Sequence, residues 1–228
     1  MVIGHTSIPN VASNFIYAFH MPLFFIASGF TSNYKKHSPL NYICHKASAI
    51  MLPFVIYSVI VACLLHYILG NDLVFLLLNG WSGYALWFIP VLYLASILAM
   101  LISHTQNAYL RYGLMLCLIS CSYCLSRYNI SLPWALSTVP YATFLILVGA
   151  ELKRFQNWIE ALNPFWGYSI VLLLTATIVI SQLYRLDMAW NHITPIVPLT
   201  IGAVTGTLMV FLLSVWIERH IKWCASLL

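Results

Sequence analysis

Histidines in apolar surroundings are the side chains of this sequence best suited to chemistry. His20 is followed by Pro22 inside the apolar run FHMPLFFIASGF, residues 19–30, and His5 precedes that run. An imidazole, with an unperturbed pKa of about 6.5, can act as a general base near neutral pH. An ionisable group at membrane depth marks a functional site by default, and Pro22 favours a kinked helix beside a polar pocket. The pattern therefore predicts acid/base chemistry around the first apolar segment.

Two other histidines and three cysteines have a plainer interpretation. His66 and His104 lie at the ends of later apolar segments, and polar residues are tolerated at a membrane interface. We expect both histidines to be interfacial and not catalytic. Cys117, Cys121 and Cys124 share a helical spacing that could bind a soft metal, but no His or carboxylate joins them. Helix packing is the favoured interpretation of the cysteines, and no metal site is predicted.

The composition indicates the class of protein that positions these residues. The 228-residue chain is 62% hydrophobic and only 7% charged, whereas a soluble domain carries roughly 25% charged residues. Its mean hydropathy is +0.89. The net charge of +5 is dispersed in short clusters and forms no basic stripe, so nucleic-acid binding is not expected. The sequence predicts an all-α, polytopic transmembrane helical bundle whose partner is the lipid bilayer.

Seven apolar segments are long enough, some marginally, to cross a bilayer, which requires roughly 20 residues each. These segments are 14–32, 47–69, 84–103, 109–125, 133–150, 166–184 and 195–217. The run 73–78 is too short to span and is predicted to be an external or half-buried turn. No repeat or linker divides the chain, so residues 1–228 are predicted to form one transmembrane domain.

The distribution of Lys and Arg predicts the orientation of these spans. Summing alternate connections gives eight basic residues on one side and two on the other. Basic residues are retained on the cytoplasmic side. We therefore expect the first thirteen residues outside and the C-terminal tail in the cytoplasm, in a multi-pass protein.

Several sequence blocks resemble a known family. FHMPLFFIASGF is similar to the HMPLFFFxSGF signature of the acyltransferase 3 family, in particular its branch of sugar O-acetyltransferases related to fucose 4-O-acetylase. Three further blocks resemble the family in the same order: VIGHTS at 2–7, LWFIPVLY at 86–93, and LPWALSTVPYATFLILVGAELK at 132–153. The resemblance covers nearly the whole chain.

The resemblance implies a function and a catalytic residue. Family members take an acyl group from acyl-CoA, here acetyl-CoA as co-substrate, and deliver it to a hydroxyl of a cell-surface or lipid-linked sugar. The catalytic His of the family's Arg-x10-His motif corresponds to His5, which is implied to be the general base, while His20 is implied to line the substrate pocket. Polysaccharide O-acetylation at the plasma (inner) membrane is the expected role.

Four other residues are candidate contacts for the acceptor. Asn14, Tyr17 and Trp87 lie in the predicted outer half of their spans, and Asp187 lies in an outer loop beside Arg185. Packing or a place in the interfacial aromatic belt is the plainer interpretation of the first three. A solvated loop charge is the plainer interpretation of Asp187.

Two alternatives remain open at this stage. The resemblance places His5 on a helix that begins before Met1 and places Lys222, Trp223 and Ser226 before further spans. We therefore expect a partial domain with an N-terminal half-helix, and an inactive fragment of an acyltransferase is one alternative. A small transporter or flippase component is the other, because transporters also build sites from broken helices with polar residues at depth.

Overall fold

The structure, a computed structural model, describes residues 9–34, 38–79, 86–156 and 166–220. Its α-helices are α1 (Asn10–Thr31), α2 (Pro39–Lys46), α3 (Leu52–Leu69), α4 (Leu73–Asn79), α5 (Phe88–Ser103), α6 (Ala108–Arg127), α7 (Val139–Arg154), α8 (Trp166–Leu183) and α9 (Ile196–His220). A π-helical turn, Ala47–Met51, joins α2 to α3, and a 3-10 helix, Pro133–Thr138, precedes α7. The predicted all-α bundle is confirmed.

Each of the seven predicted spans corresponds to a helix in the structure. Five helical stretches are long and apolar enough to cross a membrane: Asn10–Thr31, Pro39–Leu69, Ala108–Arg127, Pro133–Arg154 and Ile196–Glu218. The other two, Phe88–Ser103 and Gly167–Leu183, are shorter apolar helices. The chain is thus a multi-pass membrane protein by the length and composition of its helices.

The prediction of a turn at 73–78 is wrong, because these residues form helix α4. The Asp72 side chain accepts a hydrogen bond from the Val74 backbone N–H at 2.9 Å, as an N-terminal cap does. Leu76 is buried, and the carbonyl of Leu78 accepts a hydrogen bond from the Trp134 indole at 2.9 Å. Capping and packing therefore stabilise a helix that is too short to span.

The helical stretch that contains the second predicted span begins before Ala47, at Pro39. Ser38 caps it through a 3.4 Å bond from the Asn41 N–H, and Pro39 suits a first-turn position, where no N–H is needed. The missing N–H of Pro53 and the crowding of its ring explain the π-helical turn before α3. Polar residues in α2 lower its hydropathy, which hid it in the sequence.

Helix α1 lies at the centre of the bundle, against α7, α8 and α9. Its closest approach is to α7, where Gly29 and Gly149 face each other's helix. A Cβ on Gly29 would collide with the carbonyl oxygen of Ile146, and one on Gly149 with the carbonyl oxygen of Ile26. Small residues allow helix backbones to approach this closely in membranes. The FHMPLFFIASGF block and the VGAELK block therefore form one helix pair.

The first half of α1 packs against α9. Gly206 leaves room for the side chain of Phe19, since a Cβ there would fall on it. The helix runs on through Pro22, which is buried. This packing fixes the rotation of α1 and so determines where the neighbouring His20 points.

The bundle has two chemically different ends. At the basic end, α1, α5 and α7 finish and α6 begins, and Arg111, Lys153 and Arg154 lie together. At the loop end, α1 begins and residues 184–195 connect α8 to α9, carrying Arg185. These described basic residues separate between the ends as the Lys and Arg distribution predicts.

Candidate functional site

At the loop end, two candidate site residues, Tyr17 and His20, form a stack with Arg185. The guanidinium of Arg185 lies over the Tyr17 ring, 5.3 Å from its centroid. The Tyr17 ring packs edge to face on the His20 ring, with centroids 5.0 Å apart. A cation over an aromatic face is attractive, so Arg185 helps to hold Tyr17 against His20.

The hydrogen bond of His20 determines where its proton lies. Its Nδ1 is 3.0 Å from the carbonyl oxygen of Ile16, one turn earlier on α1. A carbonyl only accepts hydrogen bonds, so Nδ1 carries the hydrogen and, in the neutral ring, Nε2 carries the basic lone pair. The His20 ring is thereby oriented on a rigid helix in a form that suits proton transfer.

No described hydrogen bond joins Asn14 or Trp87 to this stack. Asn14 is half-buried, one turn before Tyr17 on α1. Trp87 is half-buried at the start of α5, next to Phe88, whose ring stacks on Phe24 with centroids 6.1 Å apart. Trp87 therefore lies deeper along α1 than Tyr17 does.

Asp187 is engaged within its own loop. Its backbone pairs with that of His192 through bonds of 3.1 and 2.8 Å, and its Oδ1 accepts from the Trp190 N–H at 3.4 Å. Neither ion pair found in the described part of the chain includes Asp187. The structure thus gives its carboxylate a role in shaping the 184–195 loop. His5, the implied general base, lies outside the described residues.

Sequence reasoning missed Asn191 in the same loop. This residue is 5% exposed, has a left-handed backbone with φ of 55°, and neither its Oδ1 nor its Nδ2 has a hydrogen-bond partner. Asn tolerates that backbone conformation better than most residues. Nothing in the sequence singles it out, because its burial depends on packing against other helices.

At the basic end, a cleft of about 300 Å³ opens between α1, α5, α6 and α7. We call it the basic cleft. Its lining residues are Ser32, Asn33, Tyr34, Ser103, His104, Arg111, Leu147, Ala150, Glu151, Lys153 and Arg154. In the sequence analysis, the basic residues of this cleft served only to predict the orientation of the spans. Their proximity in one cleft was not predicted.

One carboxylate organises the charges of the basic cleft. The Oε1 of Glu151 is 3.3 Å from Nε of Arg111, and its Oε2 is 3.0 Å from a guanidinium nitrogen of Arg154. The Arg111 side chain is 11% exposed and that of Glu151 20%, so this pair is well shielded from solvent. Lys153 donates to the carbonyl of Ser32 at 3.2 Å, at the C-terminal end of α1.

The basic cleft has a surplus of positive charge. Arg111, Lys153 and Arg154 supply three cations against the single carboxylate of Glu151, an excess of two. His104 adds a ring whose Nδ1 is 2.9 Å from the Met100 carbonyl, which leaves the lone pair of the neutral ring on Nε2. Guanidinium and ammonium groups in such a cleft suit the binding of a phosphate-bearing ligand.

The described residues contain no group of three His, Cys, Asp or Glu side chains that could hold a metal ion. Cys117, Cys121 and Cys124 have free thiols on the exposed side of α6. The prediction that these cysteines pack between helices is therefore wrong for the described part of the chain, because their side chains are exposed.

Comparisons with known proteins identify the family. The family model described as an acyltransferase domain, Acyl_transf_3, matches residues 1–227. No curated protein and no solved structure shows significant similarity to the chain. The match confirms the resemblance for the family and does not extend to its fucose 4-O-acetylase-like branch. The chain therefore belongs to the acyltransferase 3 family, whose members transfer acyl groups.

Proposed function

We propose that this membrane acyltransferase moves an acetyl group from acetyl-CoA, bound at the basic end, to a sugar hydroxyl at the loop end. The observation that carries the proposal is the distribution of chemistry along α1. The Arg185, Tyr17 and His20 stack lies on the first half of the helix, and the helix ends at the cationic basic cleft. One rigid element thus connects a site suited to an anionic donor with a site suited to proton transfer.

The basic cleft supports the choice of donor. The phosphates of CoA are anions, and Arg111, Lys153 and Arg154 offer charge-assisted hydrogen bonds to them. The Lys and Arg distribution puts this end in the cytoplasm, which is where acyl-CoA is made. The same rule favours a loop end outside and a C-terminal tail in the cytoplasm, which is consistent with an enzyme of the inner membrane.

The loop end supports the choice of acceptor. Tyr17 and Trp87 offer aromatic surface, and Arg185 and Asn14 offer hydrogen-bonding groups, as a sugar requires. The ordered sequence blocks that resemble sugar O-acetyltransferases favour a glycan or lipid-linked sugar over other alcohols.

The proposed reaction uses His5 as general base. Its imidazole takes the proton of the sugar hydroxyl as that oxygen attacks the carbonyl carbon of the thioester. The carbon–sulfur bond then breaks, CoA leaves as the thiol after taking up a proton, and the acetyl group remains on the sugar as an ester. His20, held by the Ile16 carbonyl, positions the acceptor or the base.

The proposal is tested with the purified chain in proteoliposomes, radiolabelled acetyl-CoA and a glycan acceptor. We expect label in the glycan, loss of transfer in His5→Ala, and normal transfer in His66→Gln. His66 is a matched control because its ring caps the end of α3 by bonding the Asn71 carbonyl at 2.6 Å. Full transfer by His5→Ala would reject the general base. Movement of substrate across the membrane without consumption of acetyl-CoA would favour a transporter instead.

A further inference from the structure

Three hydroxyl groups near the basic end are buried without a hydrogen-bond partner: those of Tyr34, Tyr42 and Ser96. Tyr34 is 7% exposed and Ser96 0%, and Tyr42 is half-buried. The Tyr42 side chain lies beside those of Tyr34 and Ser96, and the two tyrosine rings pack edge to face with centroids 5.8 Å apart. We call these three groups the hydroxyl cluster.

Unpaired hydroxyls are unfavourable inside a membrane protein, because lipid offers them no hydrogen bonds. Native structures contain few such groups, and each one requires an explanation. Burial also raises the pKa of Tyr34 above the ordinary tyrosine value, so its hydroxyl stays neutral and keeps its hydrogen. Three such hydroxyls in one place therefore indicate a site for a polar ligand.

The hydroxyl cluster adjoins the basic cleft. Ser32 and Tyr34 line the cleft, and Ser32 also lies beside the Tyr42 side chain. Ser103 lines the basic cleft, and Ser96 lies two turns before it on α5. Ser96 is therefore about 10 Å closer to the loop end than Ser103 is.

We propose that the hydroxyl cluster binds the amide-bearing pantetheine arm of the acyl donor whose phosphates occupy the basic cleft. The inference rests on the proposed function, because it states where the arm of that same donor lies. The arm is a narrow chain with amide N–H and C=O groups, which can both donate to hydroxyls and accept from them.

The test measures ligand affinity from the thermal stabilisation of the purified full chain. The two probes are CoA and its adenosine bisphosphate head, which lacks the arm. Tyr42→Phe and Ser96→Ala each remove one unpaired hydroxyl without changing the packing. We expect each to weaken CoA binding about threefold to tenfold and to leave the affinity for the head unchanged.

Tyr141→Phe is the matched control, because the fully buried Tyr141 hydroxyl bonds the Thr200 hydroxyl at 3.2 Å. We expect this variant to lower the melting temperature without ligand and to leave CoA affinity unchanged. We expect Tyr42→Phe and Ser96→Ala to lower that melting temperature less than Tyr141→Phe does, because the Tyr42 and Ser96 hydroxyls lack the well-formed hydrogen bond that Tyr141 makes with Thr200.

The outcomes separate this inference from the proposed function. Unchanged CoA affinity in Tyr42→Phe and Ser96→Ala would overturn the inference, but it would leave acetyl-CoA as the proposed donor. Equal losses for CoA and for the head would also overturn it, because they indicate a general structural effect. No stabilisation of the unaltered chain by CoA would overturn both the inference and the proposed donor.

Discussion

The two ends of the bundle hold their polar groups in different ways. At the basic end, charged side chains from different helices pair around Glu151 and line a cleft. At the loop end, contacts are mainly aromatic and backbone: Arg185 stacks on Tyr17, and Thr138 fixes the 184–195 loop by donating to the Met188 carbonyl at 2.8 Å. The basic end is therefore suited to an anionic ligand and the loop end to neutral groups, as the proposed function requires.

Helix α1 sets the distance between the His20 stack and the basic cleft. His20 lies twelve residues before Ser32, so the His20 stack and the basic cleft are held about 18 Å apart along the helix axis. The contact of α1 with α7 fixes this arrangement, because α7 contributes Glu151, Lys153 and Arg154 to the cleft. A change at the crossing of the two helices should therefore affect both ends together.

Gly149→Ala is expected to have the largest effect. The added methyl would fall on the Ile26 carbonyl, so the helices must separate, at a cost of about 3 kcal/mol. The matched control is Gly113→Ala on α6, where nothing lies within 4 Å, and which should be neutral or slightly stabilising. Thermal unfolding in detergent measures both variants. Equal melting temperatures for the two would contradict the close crossing.

Glu151→Gln tests the basic end alone. The substitution leaves the shielded guanidinium of Arg111 without its carboxylate, and we expect a loss of about 2 kcal/mol, since the pair is not fully buried. Asp187→Asn at the loop end is the comparison, because Asp187 belongs to neither described ion pair and its amide replacement can still accept from Trp190. We expect its effect on stability to be smaller. A larger loss of stability in Asp187→Asn than in Glu151→Gln would contradict the contrast between the two ends.

His20→Gln and Lys153→Ala should separate the two substrates. Loss of the oriented ring is expected to lower kcat about tenfold, the lower end of what acid/base groups contribute, with donor KM unchanged. Lys153→Ala removes a cation of the cleft and should raise donor KM with little change in kcat. Steady-state kinetics with varied acetyl-CoA measure both. A raised donor KM in His20→Gln would show that the ends are not separate.

The smallest effect is expected at Asn191. Its φ of 55° suits Gly better than Ala, so Asn191→Ala should be about 1 kcal/mol less stable than Asn191→Gly. Thermal unfolding of the two variants provides the measurement. Equal stabilities would mean that the loop adapts, and the loop end would then be less rigid than its contacts indicate.

The sequence was sufficient to predict an all-α membrane protein, its apolar helices and the separation of its basic residues between the two ends. Hydropathy and the distribution of Lys and Arg are local properties that can be read along the chain. The sequence was not sufficient for α4, which the Asp72 cap and the Trp134 contact stabilise, or for α2, the polar helix that precedes the second predicted span. The basic cleft escaped prediction because residues far apart in the chain, such as His104 and Glu151, meet only in the fold. The same holds for the hydroxyl cluster and Asn191.

The sidedness of the reaction is the most direct test of the central claim, that donor and acceptor use opposite ends. Sealed membrane vesicles of both orientations receive external, impermeant, radiolabelled acetyl-CoA and carry glycan acceptor on both faces. We predict that label reaches glycan only when the basic end faces outward, and that the labelled glycan lies inside the vesicle. Detergent should restore transfer in the other orientation. Label transfer when only the loop end faces outward would contradict the account.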